Sequence, residues 1–167
     1  PTGEQYHISE TFYTGGGLHH LEAGRFLEVH SDFSTPEHLK RYRRLNLLLY
    51  LNKDWKSEYG GSLELWSRDG KKKIKEIAPL ANRAVIFTTD STSYHGHPQP
   101  LTCPPSRSRR SLALYYYCIE PPRGDRNGIH TDWLPNTGGS SNGLKIGSAR
   151  LLRRLARRLG LIAARLE

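Results

Sequence analysis

The sequence predicts an all-β domain, a sandwich, barrel or jelly roll, followed by a basic amphipathic helix. Short apolar or alternating segments recur at intervals of roughly 8 to 12 residues, and turns rich in Gly, Pro, Asn and Asp separate them. The chain has 167 residues, enough for one domain with a proper core but too few for two of ordinary size. It has no apolar run approaching the roughly 18 residues of a membrane helix and no signal-peptide pattern, so we expect a cytoplasmic protein.

The strand-like segments follow one another along most of the chain. They are 6–9, 11–14, 24–33, 44–51, 63–66, 71–77, 84–88 and 111–118. After the third of these, Thr35 followed by Pro36 predicts a helix start, because Thr is a common N-cap and Pro suits the first helical position. Asp69 and Gly70 predict a hairpin turn between segments 63–66 and 71–77.

Segment 44–51 is a dense apolar run with the length of a strand that is buried on both faces. Alternate residues of a strand share one face, and here these residues are Arg44, Asn46, Leu48 and Tyr50. Polar groups that lie among apolar neighbours need hydrogen-bond partners. We therefore interpret this face either as the wall of a ligand cavity or as a face whose polar groups bond to the backbone.

A change of composition after residue 120 divides the chain into three predicted parts. Residues 1–120 form the β domain, 121–144 an irregular linker or a segment that covers the substrate, and 145–167 a basic amphipathic helix. The apolar side of this helix consists of Leu151, Leu152, Leu155, Leu159, Ile162 and Leu166. We expect it to pack on the β domain, to self-associate with a second copy, or to bind a membrane surface or partner.

The positive charge is unevenly distributed along the chain. The formal net charge is +9, and residues 145–167 carry seven basic residues against one acidic residue. Most of the excess charge therefore belongs to the tail. This distribution argues against a general nucleic-acid-binding function for the β domain.

The pair His30 and Asp32 is the first candidate for chemistry. Two residues apart in an extended segment, these side chains project to the same side and can share one ion. A His from a distant strand would complete a 2-His-1-carboxylate site, which leaves coordination positions open and is typical of non-haem Fe(II) oxygenases. Taken alone, however, a His-x-Asp pattern is more often a chance pairing.

A longer ordered set of residues extends this pattern over positions 20 to 118 or so. Its segments are His30-Ser31-Asp32, Leu49-Tyr50-Leu51-Asn52-Lys53-Asp54-Trp55, Gly60-Gly61-Ser62-Leu63, Ile77-Ala78-Pro79, Asn82-Arg83, Tyr94-His95 and Arg109-Arg110-Ser111-Leu112-Ala113-Leu114-Tyr115. This set resembles the prolyl 4-hydroxylase-type branch of the Fe(II)/2-oxoglutarate dioxygenases, and especially the hypoxia-factor prolyl hydroxylases and their bacterial relatives. The resemblance implies a double-stranded β-helix, which is a cupin-like jelly roll.

The resemblance also implies roles for individual residues. It implies that His30, Asp32 and a distal His, either His95 or His97, ligate Fe(II), and the order aromatic-His-Gly favours His95. Cosubstrate binding is implied for a further group, Arg109, Tyr50 and Ser111. In particular, a guanidinium offers a bidentate fork to the far carboxylate of 2-oxoglutarate. Candidates for the substrate pocket are His20, His97 and Asn46.

The implied reaction is hydroxylation of an unactivated C–H bond with decarboxylation of 2-oxoglutarate to succinate and CO2. It requires Fe(II), 2-oxoglutarate and O2, with ascorbate in a supporting role. Implied substrates are a prolyl residue in a protein or a small molecule such as a natural product. Two other classes remain as alternatives: a nucleic-acid demethylase, suggested by the basic tail, and a non-catalytic β-sandwich binding module.

Overall fold

A computed structural model describes residues 8–9, 16–33, 41–120 and 131–134 of this chain. In these residues the protein is all-β, with one 3-10 turn at Ser57–Tyr59 and no α-helix. The described residues contain no helix that is long and apolar enough to cross a membrane. The predicted helix start at Thr35 and the predicted helix 145–167 lie outside the described residues.

The described residues contain ten strands, which form two five-stranded antiparallel sheets. In chain order they are β1 (Ile8–Ser9), β2 (Gly17–Glu22), β3 (Leu27–Ser31), β4 (Tyr42–Tyr50), β5 (Leu63–Trp66), β6 (Lys73–Ile77), β7 (Ala84–Thr88), β8 (His95–His97), β9 (Ser108–Cys118) and β10 (Asp132–Trp133). The first sheet has the order β1-β9-β4-β7, and β2 also pairs with β9. The second sheet has the order β10-β3-β8-β5-β6.

The hydrophobic core lies between the two sheets. Its centre consists of Tyr50 from β4, Val85 from β7 and Leu63 from β5, so both sheets contribute to one cluster. A second, separate cluster of buried residues consists of Trp55, Leu101 and Cys103. Two antiparallel sheets that share one apolar interior are consistent with the predicted jelly roll.

Strand β4 departs from the predicted alternation near its start. The pairing of β4 with β9 shifts between Arg43 and Leu45, because one extra residue is accommodated there. Arg43 is therefore buried with Asn46 and Tyr50 on the inner face, in the place where simple alternation predicts Arg44. The prediction of Arg44 on this face is wrong for that physical reason.

Two predicted boundaries also change. Segment 24–33 was expected to be one strand, but residues 23 and 24 form a turn and β3 spans Leu27–Ser31, so Asp32 follows the strand directly. Within the segment 121–144, predicted to be irregular, residues Asp132 and Trp133 pair with Ser31 and His30 and add a strand to the second sheet. The β domain therefore includes residues beyond position 120.

Candidate active site

The structure brings His30, Asp32 and His95 together. Strand β3 carries His30, β8 carries His95, and the two residues are directly paired across these antiparallel strands. Asp32 follows the end of β3 and reaches back to both rings. One ligand atom from each residue lies within 4.8 Å of the others, which is close enough to hold a single metal ion. His97, the other candidate for the distal ligand, is not part of this group.

The two imidazoles are oriented by the backbone. Nδ1 of His30 lies 2.8 Å from the carbonyl oxygen of Glu28, and Nδ1 of His95 lies 2.9 Å from that of Ser93. Each Nδ1 must carry the proton to donate these bonds, so each Nε2 keeps a free lone pair. The Nε2 atoms lie 3.6 Å and 3.4 Å from oxygens of Asp32. Two imidazoles and one carboxylate in this arrangement fit a divalent iron ion.

The Asp32 carboxylate is held by two residues of β4. Arg43 forms an ion pair with Oδ2 at 3.0 Å, and Asn46 donates a hydrogen bond to the same oxygen at 2.9 Å. Arg43 also donates to the Asn46 side chain at 2.7 Å, so the three groups form a closed network. Burial opposes ionisation of Asp32, but the positive charge of Arg43 outweighs it and holds the pKa of the carboxyl far below its ordinary value. The carboxylate is therefore charged and oriented before any metal binds.

Gly96 allows β3 and β8 to approach closely at the metal ligands. A Cβ atom at this position would lie 2.8 Å from the carbonyl oxygen of Leu27 and 2.9 Å from that of Glu28. Both atoms belong to the backbone of β3, next to a shift in the pairing register between Leu27 and His30. A larger residue between the two histidines would therefore clash with the backbone of β3.

Aromatic side chains pack on both imidazoles. The ring of Trp133 lies 4.6 Å from that of His30, and the ring of Phe87 lies 4.8 Å from that of His95. The two imidazole rings are themselves 4.6 Å apart. Burial of His95 lowers its pKa to about 4, with the Asp32 charge opposing this shift, so the ring stays neutral and able to bind a metal at neutral pH.

Arg109 is a buried cation on β9. Its Nε donates to the carbonyl oxygen of Gly61 at 2.7 Å, its Nη2 lies 3.5 Å from the Tyr50 hydroxyl, and only 4% of the residue is exposed. No carboxylate in the described part of the chain forms an ion pair with this guanidinium. A buried charge without a counter-ion is costly, and burial accordingly lowers the Arg109 pKa. The arrangement fits a site for an anionic ligand.

Gly61 shapes the space that Arg109 occupies. Its φ of +72° belongs to the left-handed region, and a Cβ atom there would lie 2.9 Å from Cδ of Arg109 and 2.5 Å from a methyl group of Leu101. The glycine therefore lets the arginine stem lie against the backbone. Tyr50 is fully buried beside it, and burial raises the pKa of its phenol, so the hydroxyl remains a proton donor.

The remaining candidates lie in different places. Ser111 is buried on β9 at the inner face, two residues after Arg109, and its hydroxyl has no hydrogen-bond partner within the described ranges. His20 is exposed and pairs with the exposed Arg110, so the structure does not bring it to the inner face. Asn46, the third candidate for the substrate pocket, donates a hydrogen bond to the Asp32 carboxylate.

Two residues of the site were not identified from the sequence. Arg43 was not identified because the irregularity in β4 moves it to the inner face, and period-two alternation contains no signal for such a shift. Trp133 was not identified because it belongs to a two-residue strand in a segment of loop-like composition. A tryptophan in an otherwise polar, Gly-rich stretch was the available signal.

The chain is similar in sequence to proteins of a known family. The family model described as the 2OG-Fe(II) oxygenase superfamily matches residues 16–117. The chain is 30% identical over 79 residues to the prolyl 3-hydroxylase OGFOD1 of Mus musculus, covering 45% of this chain and 14% of that protein.

Solved structures of similar proteins include two prolyl hydroxylases. A Pseudomonas putida prolyl-4-hydroxylase is 26% identical to this chain, with a TM-score of 0.44. The match covers 59% of this chain and 47% of that protein. A prolyl hydroxylase from Trichoplax adhaerens, in complex with a hypoxia-inducible-factor peptide fragment, is 24% identical to this chain, with a TM-score of 0.46. The match covers 60% of this chain and 42% of that protein. The chain thus spans less than half the length of each of these relatives. From the family match over residues 16–117, the chain belongs to the 2OG-Fe(II) oxygenase superfamily.

Proposed function

We propose that this protein hydroxylates an unactivated C–H bond with Fe(II), 2-oxoglutarate and O2, and releases succinate and CO2. The observation that carries the proposal is Arg109, a buried guanidinium without an acidic partner in the described ranges, in the same interior as the His30, Asp32 and His95 cluster. A metal site alone fits many functions. A metal site together with a buried anion site fits a cosubstrate that is both a chelator and a carboxylate.

The metal-binding role would fall to His30, Asp32 and His95. These residues offer three donor atoms, so positions on a six-coordinate ion stay open for the 2-oxo acid and for oxygen. When bound, iron and cosubstrate supply the oxidative chemistry that couples decarboxylation to hydroxylation. Arg43 and Asn46 keep the Asp32 carboxylate charged and in place.

The cosubstrate-binding role would fall to Arg109 and Tyr50. The guanidinium would pair with the distal carboxylate of 2-oxoglutarate, and the Tyr50 hydroxyl would donate to the same group. Burial of both residues excludes water, which strengthens the interaction. The jelly-roll topology of the family, a double-stranded β-helix, would place both groups between the two sheets.

We propose a prolyl residue in a protein as the substrate. Support comes from the sequence resemblance to prolyl 4-hydroxylases and from the mouse relative, which is a prolyl 3-hydroxylase. A small-molecule substrate would use the same chemistry. The two are separated by offering proline-containing peptides and free prolyl compounds to the same enzyme preparation.

The direct test is succinate formation by the Fe(II)-loaded protein with 2-oxoglutarate and O2, in the presence of candidate peptides. Succinate and hydroxylated peptide are expected in equal amounts with the unmodified chain, and neither with Asp32→Ala. Arg110→Ala, which changes the exposed neighbour of Arg109, is expected to form both products like the unmodified chain. If an iron-loaded protein bound no 2-oxoglutarate, the proposal would be wrong and a non-catalytic binding module would be favoured.

A further inference from the structure

His97 is a buried histidine whose ring nitrogens have no hydrogen-bond partner among the described residues. It is the last residue of β8, and only 3% of it is exposed. Neither Nδ1 nor Nε2 of its ring forms a hydrogen bond with any residue that the structure describes. Buried polar groups in proteins are nearly always bonded, so two such atoms on one ring need an explanation. A ligand that binds next to the ring would provide one.

The position of His97 indicates which ligand. It lies two residues after His95 on β8, so both side chains project to the same face of the strand. The guanidinium of Arg109 is close enough for its charge to act on the His97 ring, and both residues are almost fully buried. His97 therefore belongs to the interior where the cosubstrate is proposed to bind.

The chemistry of the ring restricts its role. An imidazole ring has at least one N–H donor, whether it is neutral or protonated. The hydroxyl of Ser111, on the strand that carries Arg109, also lacks a partner among the described residues. One cation and two potential donors without acceptors match one anionic group with several lone pairs, such as a carboxylate.

We propose that His97 donates a hydrogen bond to the distal carboxylate of the cosubstrate and shares that carboxylate with Arg109. This inference rests on the function proposed above and identifies His97 as a residue that determines cosubstrate specificity. It would favour a dicarboxylic 2-oxo acid over a monocarboxylic one, because only the former brings an acceptor to the ring. A short 2-oxo acid such as pyruvate would chelate the metal and leave His97 unpaired.

The test measures ligand binding to the anaerobic Fe(II)-loaded chain, without turnover. The charge-transfer absorption of the chelated 2-oxo acid gives the Kd for 2-oxoglutarate and for pyruvate, and a separate titration gives the Kd for Fe(II). His97→Val is expected to weaken 2-oxoglutarate binding about tenfold to a hundredfold, as for a lost hydrogen bond to a charged group. The Kd values for pyruvate and for Fe(II) are expected to stay within about twofold of those of the unmodified chain, because neither ligand needs His97.

The conservative variants His97→Asn and His97→Gln provide the second arm. Each keeps an N–H donor near one of the two ring nitrogens, so one of them is expected to restore 2-oxoglutarate affinity and thereby to identify the donating atom. Unchanged 2-oxoglutarate affinity in His97→Val, or an equal loss for pyruvate, would overturn the inference and leave the proposed function standing. If the unmodified chain bound Fe(II) but no 2-oxoglutarate, the proposed function itself would fail.

Discussion

Replacement of Arg109 by Met shows separately how the buried charge affects the stability of the protein and how it affects cosubstrate binding. Met keeps the length of the stem and removes the guanidinium, with its bonds to Gly61 and Tyr50. In the ligand-free protein we expect stability equal to or above that of the unmodified chain, because an uncompensated buried cation disappears. Cosubstrate binding is expected to fall sharply, since the variant loses the partner of the distal carboxylate.

The magnitude follows from the strength of charge-assisted pairs. Loss of such a pair costs on the order of 2 to 4 kcal/mol, which corresponds to about a 30- to 700-fold higher Kd for 2-oxoglutarate. At a ligand concentration of about 100 times the original Kd, the unmodified chain gains about 2.7 kcal/mol of stability. A variant that binds 100-fold more weakly gains about 0.4 kcal/mol under the same conditions.

Two assays measure these quantities on one preparation. Anaerobic thermal unfolding with Fe(II), with and without 2-oxoglutarate, reports the stabilisation, and the charge-transfer band reports the Kd. Arg110→Met is the matched control, because it removes an exposed guanidinium from the adjacent position. Normal cosubstrate affinity in Arg109→Met, or an equal loss in Arg110→Met, would refute the reasoning.

Three further outcomes are expected. Asp32→Ala abolishes Fe(II) binding in an anaerobic titration, whereas His20→Ala, at an exposed position, leaves it unchanged; iron retained by the Asp32 variant would contradict the assigned ligands. Gly96→Ala pushes β3 and β8 apart, so it lowers the free energy of unfolding by about 1 to 3 kcal/mol and weakens iron binding; unchanged melting would show that the strands already have room. The metal-free protein loses stability as the pH falls from about 6.5 toward 4. The reason is that histidines in the unfolded chain take up protons near pH 6.5, whereas the folded-state pKa values of His95 and His97 are about 4 and about 3. His97→Asn should therefore reduce the dependence of unfolding free energy on pH, measured by denaturant titration across that range. A free energy of unfolding that does not change with pH would argue against the burial of these histidines.

Local alternation and residue chemistry were sufficient to predict much of the site. The grouping of His30 with Asp32 follows from their spacing alone, and the structure brings His95 to them from a strand 65 positions further along the chain. The all-β class followed from the short strand-like segments with turns between them, because tight turns have strong composition signals. The two-sheet arrangement agrees with that prediction.

What the sequence could not predict depends on non-local geometry. The register shift that buries Arg43 is a property of two paired strands, and neither strand contains it alone. The contact between Trp133 and His30 joins residues about 100 positions apart, and no local pattern predicts such a pairing. The resemblance already favoured His95 over His97 as the distal ligand, and the structure groups His95 with His30 and Asp32.

The position of Trp133 gives the protein a built-in optical probe. The chain has three tryptophans, and the indole of this one lies 4.6 Å from the imidazole of a proposed iron ligand. A paramagnetic ion on that imidazole would quench nearby indole emission, whereas Zn²⁺, with its closed d shell, would quench far less. Fluorescence of the chain, compared with that of Trp133→Phe, would therefore follow metal occupancy in real time and without a label.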